Sequence, residues 1–550
     1  MRRNCLSIAS IGKDKTKGRG QEFCYFCNIT KNAPNRLTPV TSRFSPHLPR
    51  LHTFLLAFLL LLCGFPAYPG LKTGTIDSTT TQRILAFLDQ FQQGPLVRHG
   101  VVGLSVRRVK DGEIILGYNN RQSLQTASTM KLVSTATALL ALGPYFRYTT
   151  TLEHDGTLTN GVLEGNLFVR GSGDPSLGTA RYSGHADTPA LLHEWSDAAR
   201  QAGIRQIRGA VVGDGSVLGD INTPDTWPFG DLGNYYGASP DGLNINENLY
   251  QLFYRPGKTV GSAAVVARTN PAVPYLTHDN RTTTDAAGTG DQSTVYGAPY
   301  QTLQWLRGKI PMGKPEFSVD VTLPDPAYHV AFSLAEQLRQ DSVSQSSLPL
   351  AFRPGQPVPV AHRKRVVLHR HESPPLLELI QQTNFESINL YAEALMRTAA
   401  FTLSPNATDN DLAIETLTDF WRRKGVNLDG FKPKDGSGLS ATGAMTTDNL
   451  TGILSAMGRE KTFPVFYESI PVVGESGTVR NLAKNTLAAG NMRAKSGTLT
   501  GVRAFAGYFT ATNGEQMCFS MIVNRYTTGP GQTRAITVQL ERLMVLLVGM

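Results

Sequence analysis

A serine and a lysine three residues apart stand at the start of the segment "TASTMKLVSTATALLALGP", residues 126–144. Its apolar residues recur with helical spacing and Gly143-Pro144 is a typical stop signal, so the segment predicts a buried helix. On a helix, Ser128 and Lys131 share one face, about 5–6 Å apart at their Cβ atoms. Burial favours a neutral amine, so Lys131 either reaches the surface from the helix end or serves as a base for Ser128.

A second motif, Ser387-Ile388-Asn389, stands where the next run of helical periodicity begins, in "TNFESINLYAEALMR". Its hydroxyl and amide could contribute to the site of Ser128. Either residue could equally cap the helix N-terminus, where Ser and Asn are preferred. A rival match, Ser404-Pro405-Asn406, has the composition of an exposed turn.

A third motif, Lys495-Ser496-Gly497-Thr498, is predicted to open a strand. It combines a cation, two hydroxyls and a glycine that admits close backbone approach. The alternative is a surface lysine that precedes a strand. A perfect K-T-G also occurs at residues 72–75, but no alternating strand follows it.

The order S-x-x-K, S-x-N, K-[ST]-G is the motif set of penicillin-binding proteins and class A β-lactamases, and the chain resembles that serine acyltransferase superfamily. The first two motifs, at positions 128 and 387, are 259 residues apart, far more than a compact β-lactamase domain needs. Residues 78–548 resemble the class C low-molecular-mass penicillin-binding proteins, the D-alanyl-D-alanine carboxypeptidase/endopeptidase family (peptidase family S13). Further phrases typical of that family are "GSGDPSL" (171–177), "VVGDGS" (211–216), "DGSGLS" (435–440) and "PVVGESGTVRN" (471–481).

The resemblance implies acyl transfer at a D-Ala-D-Ala-type peptide bond through a Ser128 acyl-enzyme. Lys131, when neutral, would take the Ser128 proton. Backbone N–H groups of Ser128 and Thr498 would form the oxyanion hole. Ser387 would relay a proton to the leaving amine, and Asn389 would orient Lys131 and the substrate amide.

The third motif is implied to bind the substrate. Lys495 would supply positive charge near the terminal carboxylate, which the hydroxyls of Ser496 and Thr498 would bind beside Gly497. Asp231, in "WPFGDLGNYYGA", matches by position an insert acid that in relatives contacts the substrate's free amino group; a loop-capping aspartate is the alternative. The implied partners are peptidoglycan peptides, with β-lactam antibiotics as inhibitors, and no metal or organic cofactor is needed.

Three other functions remain as alternatives. A β-lactamase-like hydrolase would need fast deacylation, against which the large insert argues. A non-catalytic cell-wall-binding protein of the same fold would be expected to have lost a motif, and an esterase would lack Lys495. After "DGSGLS" the chain runs "ATGAMTT", without the Arg and Asn expected there, so the role of that loop is open. The preference for carboxypeptidase or endopeptidase action and the oligomeric state are also open.

The elements that position these motifs predict an α/β (α+β) fold. A hairpin around Lys110-Asp111-Gly112 and an amphipathic helix at 79–93 precede Ser128. Four helical segments between 375 and 459 and a terminal helix accompany two strands predicted in 495–526 around an Asn513-Gly514 turn. We therefore expect a β-lactamase/transpeptidase-like domain made of residues 78–150 and 370–550, with one or two β-rich insert domains at 151–369.

The N-terminal residues 1–70 are predicted to be a leader. The net charge is +10, but ten Lys or Arg and two acids lie in residues 1–53, which leaves +2 for the rest and argues against a nucleic-acid partner. The apolar run at 54–70 fits a signal-peptide core, which predicts export to the periplasm. Cys63 follows a leucine run, as a lipidated cysteine does. Leu62 is large for such a site, so lipidation is not expected. Peripheral membrane association stays open. Cys518 is predicted to be an inert core residue.

Overall fold

The structure, a computed structural model, describes residues 78–219, 223–353 and 364–550. The predicted leader, with its segment at 54–70, lies outside the described residues. None of the helices within these ranges is long and apolar enough to cross a membrane. Ten α-helices lie in the described ranges: α1 (Ser78–Gln93), α2 (Lys131–Leu142), α3 (Thr188–Gln201), α4 (Pro326–Gln340), α5 (Leu376–Glu386), α6 (Asn389–Leu403), α7 (Asn410–Arg423), α8 (Thr447–Gly458), α9 (Phe463–Glu468) and α10 (Gln532–Val548).

Twenty-three β-strands lie in the same part of the chain: β1 (Val101–Arg108), β2 (Ile114–Tyr118), β3 (Ser123–Leu124), β4 (Thr149–His154), β5 (Thr157–Thr159), β6 (Val162–Glu164), β7 (Leu167–Arg170), β8 (Gln206–Ile207), β9 (Val211–Asp214), β10 (Leu249–Arg255), β11 (Val265–Asn270), β12 (Thr277–Asn280), β13 (Thr283–Asp285), β14 (Gln292–Tyr296), β15 (Leu303–Pro311), β16 (Phe317–Thr322), β17 (Ser344–Gln345), β18 (Leu350–Phe352), β19 (Val366–Glu372), β20 (Met445–Thr446), β21 (Met492–Leu499), β22 (Val502–Thr510) and β23 (Gln516–Asn524).

The sheet that supports the three motifs has the order β2-β1-β23-β22-β21, with antiparallel neighbours throughout. Strands from both ends of the chain therefore meet in one sheet. Helices α1 and α10 cover one face, where Ile84 and Leu540 join the core of β1 and β23. Helices α2 and α8 pack on the other face, against Tyr508 and Cys518. The apolar run of β23 is buried on both faces for this reason.

The region 495–526 departs from the prediction of two strands, because β21, β22 and β23 make three. The Asn513-Gly514 turn joins β22 to β23 as expected, and a tight turn with Gly501 at φ 73° joins β21 to β22. Lys495 consequently lies within β21 instead of opening it. The charged side chains of Arg493 and Lys495 interrupt the apolar pattern that would mark a buried strand.

The segment from 151 to 369 is rich in short strands, as predicted, but it also contains α3 and α4. An aspartate, Asp187 or Asp325, caps each of these helices by accepting a backbone N–H, and a proline follows in the first turn. One sheet of this segment, β18-β9-β7-β4-β19, pairs β7 and β18 in parallel with β9. The boundaries of the insert domains stay a prediction.

Candidate active site

The first motif lies where a short 3₁₀ turn, Ala127–Met130, leads into α2. The predicted helix thus begins as a tighter turn, whose first residue, Ala127, has a left-handed backbone conformation with φ 44°. Lys131 is fully buried, with 0% of its surface exposed. Its Nζ lies 2.9 Å from Ser128 Oγ, so the side chain turns toward the serine and away from solvent.

Two oxygens besides Ser128 Oγ surround the Lys131 amine. Lys131 Nζ donates to Asn389 Oδ1 at 2.5 Å and to the Ser437 carbonyl at 2.9 Å. Burial lowers the pKa of Lys131 from 10.5 to about 7, against a smaller opposing effect of the acids Asp435 and Glu393. No carboxylate of the described residues is within ion-pair distance of this amine. The site therefore favours a neutral lysine close to physiological pH.

The second motif joins two helices. Ser387 ends α5 with φ 62°, a left-handed conformation that is costly for a serine, and Asn389 is the first residue of α6. Ile388 occupies the N-cap position of α6 without any side-chain cap bond. The capping alternative is therefore wrong for both polar residues, whose side chains point to the two lysines.

The third motif lies on β21, the edge strand of the central sheet. Lys495 is fully buried, and its Nζ donates to Ser387 Oγ at 2.8 Å and to the Ser496 carbonyl at 2.9 Å. Burial, followed by the charges of Lys131 and Arg503, holds the pKa of Lys495 well below its usual 10.5. The alternative of a surface lysine is wrong.

Gly497 allows β21 to approach the start of α2. A Cβ atom at this position would lie 2.8 Å from the Thr126 carbonyl oxygen and 3.0 Å from the Ser128 nitrogen, closer than side chains tolerate. The neighbouring hydroxyls have separate partners: Ser496 Oγ donates to Thr478 Oγ1 at 2.8 Å, and Thr498 Oγ1 accepts a bond from Arg503. The edge of β21 thus lies against the backbone at Ser128, and the surface between the two is the cleft of the candidate site.

A buried support beneath Lys131 was not predicted from the sequence. Glu393 of α6 accepts backbone N–H bonds from Gly436 and Ser437, the latter at 2.7 Å. Asp435 accepts from the Gly438 nitrogen at 2.8 Å and from the Trp227 indole at 2.8 Å. These bonds hold the loop whose Ser437 carbonyl contacts Lys131. The phrase "DGSGLS" was a signal for this loop, but nothing in the sequence indicated its contact.

Asp231 lies outside the group of residues that contact Lys131. It accepts a bond from the Tyr236 hydroxyl at 3.1 Å, and burial raises its pKa. The Tyr236 carbonyl in turn accepts from Asn389 Nδ2 at 2.7 Å. The segment that bears Asp231 therefore reaches the site through the backbone of Tyr236.

The chain matches the model of the D-Ala-D-Ala carboxypeptidase 3 (S13) family over residues 85–545. The chain belongs to this family of serine peptidases. The predicted family and enzyme class, a serine-type D-Ala-D-Ala carboxypeptidase, are thereby confirmed.

Among curated proteins, the D-alanyl-D-alanine carboxypeptidase DacB of Haemophilus influenzae is 26% identical over 473 residues, which cover 80% of this chain and 89% of the relative. The D-alanyl-D-alanine carboxypeptidase of Actinomadura sp. (strain R39) is 26% identical over 456 residues, covering 80% and 81%. The crystal structure of penicillin binding protein 4 (dacB) from Haemophilus influenzae superposes with a TM-score of 0.70 at 24% identity, over 83% of this chain and 97% of that one. This likeness confirms the predicted α/β fold with its β-rich insertion.

Proposed function

We propose that the protein is a penicillin-sensitive DD-carboxypeptidase and DD-endopeptidase that acts on peptidoglycan stem peptides and cross-links through a Ser128 acyl-enzyme. Family membership and the activity in the names of the two curated relatives support this reaction. The observation that carries the assignment to Ser128 is the fully buried Lys131 amine, 2.9 Å from its hydroxyl oxygen.

The partners of Lys131 leave its lone pair to Ser128. A neutral amine has two N–H donors and one lone pair. Asn389 Oδ1 and the Ser437 carbonyl can only accept, so each takes one N–H. The bond from Asn389 Nδ2 to the Tyr236 carbonyl fixes the amide so that its oxygen faces Lys131. The remaining lone pair accepts the Ser128 proton, which makes the serine oxygen nucleophilic.

The second and third motifs supply the other half of the reaction. The Ser128 oxygen attacks the amide carbonyl, whose oxyanion binds to the backbone N–H groups of Ser128 and Thr498. Ser387, which accepts a bond from Lys495, relays the proton that Lys131 took from Ser128 to the amide nitrogen as the carbon–nitrogen bond breaks. After the amine departs, water attacks the acyl carbonyl and gives a proton to Lys131, which returns it to the Ser128 oxygen as the acid leaves.

Substrate binding is assigned to the edge strand and the insert. Lys495 and Thr498 bind the carboxylate next to the scissile amide, beside the close approach that Gly497 permits, and Ser496 joins them when its hydroxyl turns from Thr478 to the substrate. Asp231 binds a free amino group of the stem peptide: its carboxylate accepts a bond from the Tyr236 hydroxyl, and the Tyr236 carbonyl contacts Asn389 of the site.

β-Lactams are assigned as inhibitors that acylate Ser128, in line with a second crystal structure of the Haemophilus influenzae protein, which is complexed with a novel β-lactam. Export to the periplasm is proposed from the basic residues and the apolar run at 54–70. N-terminal sequencing of protein recovered from a periplasmic extract tests export: a mature chain that keeps residues 1–50 would contradict it.

Mass spectrometry after treatment with benzylpenicillin tests the nucleophile. We expect one adduct, on the peptide that contains Ser128, and none in Ser128→Ala. The matched control is Ser123→Ala, which removes an exposed hydroxyl five residues earlier and should acylate normally. An adduct elsewhere, or none, would contradict the assignment. Fast loss of the adduct with turnover of the antibiotic would favour the β-lactamase alternative.

A further inference from the structure

Arg503 is a cation beside the third motif that the reaction scheme does not use. It lies on β22 directly opposite Thr498, so the two side chains share one face of the sheet. Arg503 Nη1 donates to Thr498 Oγ1 and, at 3.4 Å, to the Gly497 carbonyl. Its Nε donates to Thr537 Oγ1 at 3.2 Å, and the guanidinium stacks 4.4 Å from the ring centre of Phe505. The guanidinium is therefore held against the strand that borders the cleft.

The charge of Arg503 is not matched by a contacting acid. No carboxylate within the described ranges forms an ion pair with it. Burial lowers the pKa of Arg503 to about 10, so the group stays charged at neutral pH. A half-buried cation without an acid partner is costly to keep, and it attracts an anion to the adjoining cleft.

The bonds of the two hydroxyls of the motif show where this anion would be held. Ser496 Oγ donates its one proton to Thr478 Oγ1. Thr498 Oγ1 accepts from Arg503, so its own proton must point away from the guanidinium. Thr498 is exposed, so its hydroxyl is left free to donate to a group that enters from solvent.

We propose that Arg503 makes this site specific for substrates with a carboxylate next to the scissile amide. It orients the Thr498 hydroxyl for donation to that carboxylate and adds a permanent positive charge behind it. This inference rests on the proposed function and names Arg503 as a positioning residue that sets specificity through Thr498.

The test compares acylation of Ser128 by benzylpenicillin and by benzylpenicillin methyl ester, whose carboxylate is blocked. Loss of a hydrogen bond to a charged group should make acylation of Arg503→Gln by the free acid about 10- to 100-fold slower. The ester rate should stay unchanged, and Arg503→Lys should lie between the two. The matched control, Arg534→Gln, removes an exposed charge from α10 one turn before Thr537 and should alter neither rate.

Equal losses on acid and ester, or no loss on either, would overturn the role of Arg503. Arg503→Lys decides the matter if Arg503→Gln does not fold, because it keeps a positive charge and loses the planar group that donates to Thr498, so a smaller loss confined to the acid is expected. A selective loss on the acid supports the proposal, and an unselective result refutes it. Failure of the wild-type protein to form any Ser128 adduct is a different outcome, because it refutes the proposed function itself.

Discussion

Replacement of Lys131 by methionine should stabilise the folded protein while it abolishes acylation. Burial moves the pKa of Lys131 from 10.5 to about 7. At about 1.4 kcal/mol per pKa unit, this shift corresponds to a cost of about 5 kcal/mol for folding below pH 7, where the unfolded chain holds a solvated, charged lysine. Methionine fills a similar volume and carries no charge.

Part of the stability gained by removing the buried amine is lost again, because its hydrogen-bond partners are left unpaired. Methionine leaves Asn389 Oδ1 and the Ser437 carbonyl without a donor. Each unsatisfied buried acceptor costs about 1–2 kcal/mol. Lys131→Met should therefore raise the free energy of unfolding by a net ~2 kcal/mol at or below pH 7.

The pH dependence is the sharper part of this prediction. Between pH 7 and 10.5, Lys131 holds a proton in the unfolded state and not in the folded state. Wild-type stability therefore rises relative to Lys131→Met by about 1.4 kcal/mol per pH unit in this window. The advantage of methionine is constant below pH 7, shrinks above it and reverses at about pH 8.5.

Melting temperatures of both proteins from pH 6 to pH 10 measure the effect. For a protein of this size, 1 kcal/mol corresponds to about 1 °C. Lys461→Met, at an exposed lysine, is the matched control and should differ from wild type by a constant amount. A constant difference for Lys131→Met as well would mean that Lys131 has the same charge folded and unfolded, which would refute its role as a neutral base.

Three further predictions follow from the same geometry. The second-order rate constant for acylation by benzylpenicillin should rise with pH and reach half its maximum near pH 7, where the pKa of Lys131 lies. In Lys131→Arg this rate constant should fall about 10²–10⁴-fold, because arginine keeps its proton. A rate constant that decreases with pH through this range would contradict the assignment. Gly438→Ala should slow acylation by destabilising the site, since its Cβ would lie 1.9 Å from the Ala127 carbonyl oxygen. The control Gly531→Ala, also at positive φ but with nothing within 4 Å, should leave acylation intact. Equal acylation rates in the two variants would show that the 435–440 loop does not constrain Ser128. Glu393→Gln should slow acylation about 10-fold, because a weaker bond to the Ser437 N–H leaves the Ser437 carbonyl less firmly positioned. The control Glu415→Gln, at an exposed site of α7, should not slow it. A normal rate in Glu393→Gln would contradict the support role of Glu393.

The sequence predicted the parts of the site that are local. The turn that holds Ser128 and Lys131 needs only helical spacing, and the third motif needs only its order along the chain. The hairpin at Asn513-Gly514 follows from turn chemistry. These features depend on neighbours within a few residues, so the pattern of one segment is enough.

The features that were missed depend on distant parts of the chain. Burial of Lys495 requires the edge of the sheet to face Ser387, and no local pattern records that approach. The carbonyls of Ser437 and Tyr236 act through the backbone, for which any residue type suffices. Helix α3 is a different case, because Asp187 and the spacing of Leu191 and Trp195 were visible signals that the Gly- and Thr-rich surroundings concealed.

Three basic side chains lie in or beside this site, and burial gives them different charge states. Lys131 and Lys495 are both fully buried and have lowered pKa values, and the charge of Lys131 further lowers the pKa of Lys495. Neither amine is therefore a dependable source of positive charge in the empty site. Arg503 differs because a guanidinium keeps its proton even when burial lowers its pKa to about 10. In the proposed binding mode, a carboxylate beside Thr498 lies next to this permanent charge, and its own negative charge favours protonation of Lys495. A protonated Lys495 in turn favours a neutral Lys131, which can take the proton of Ser128.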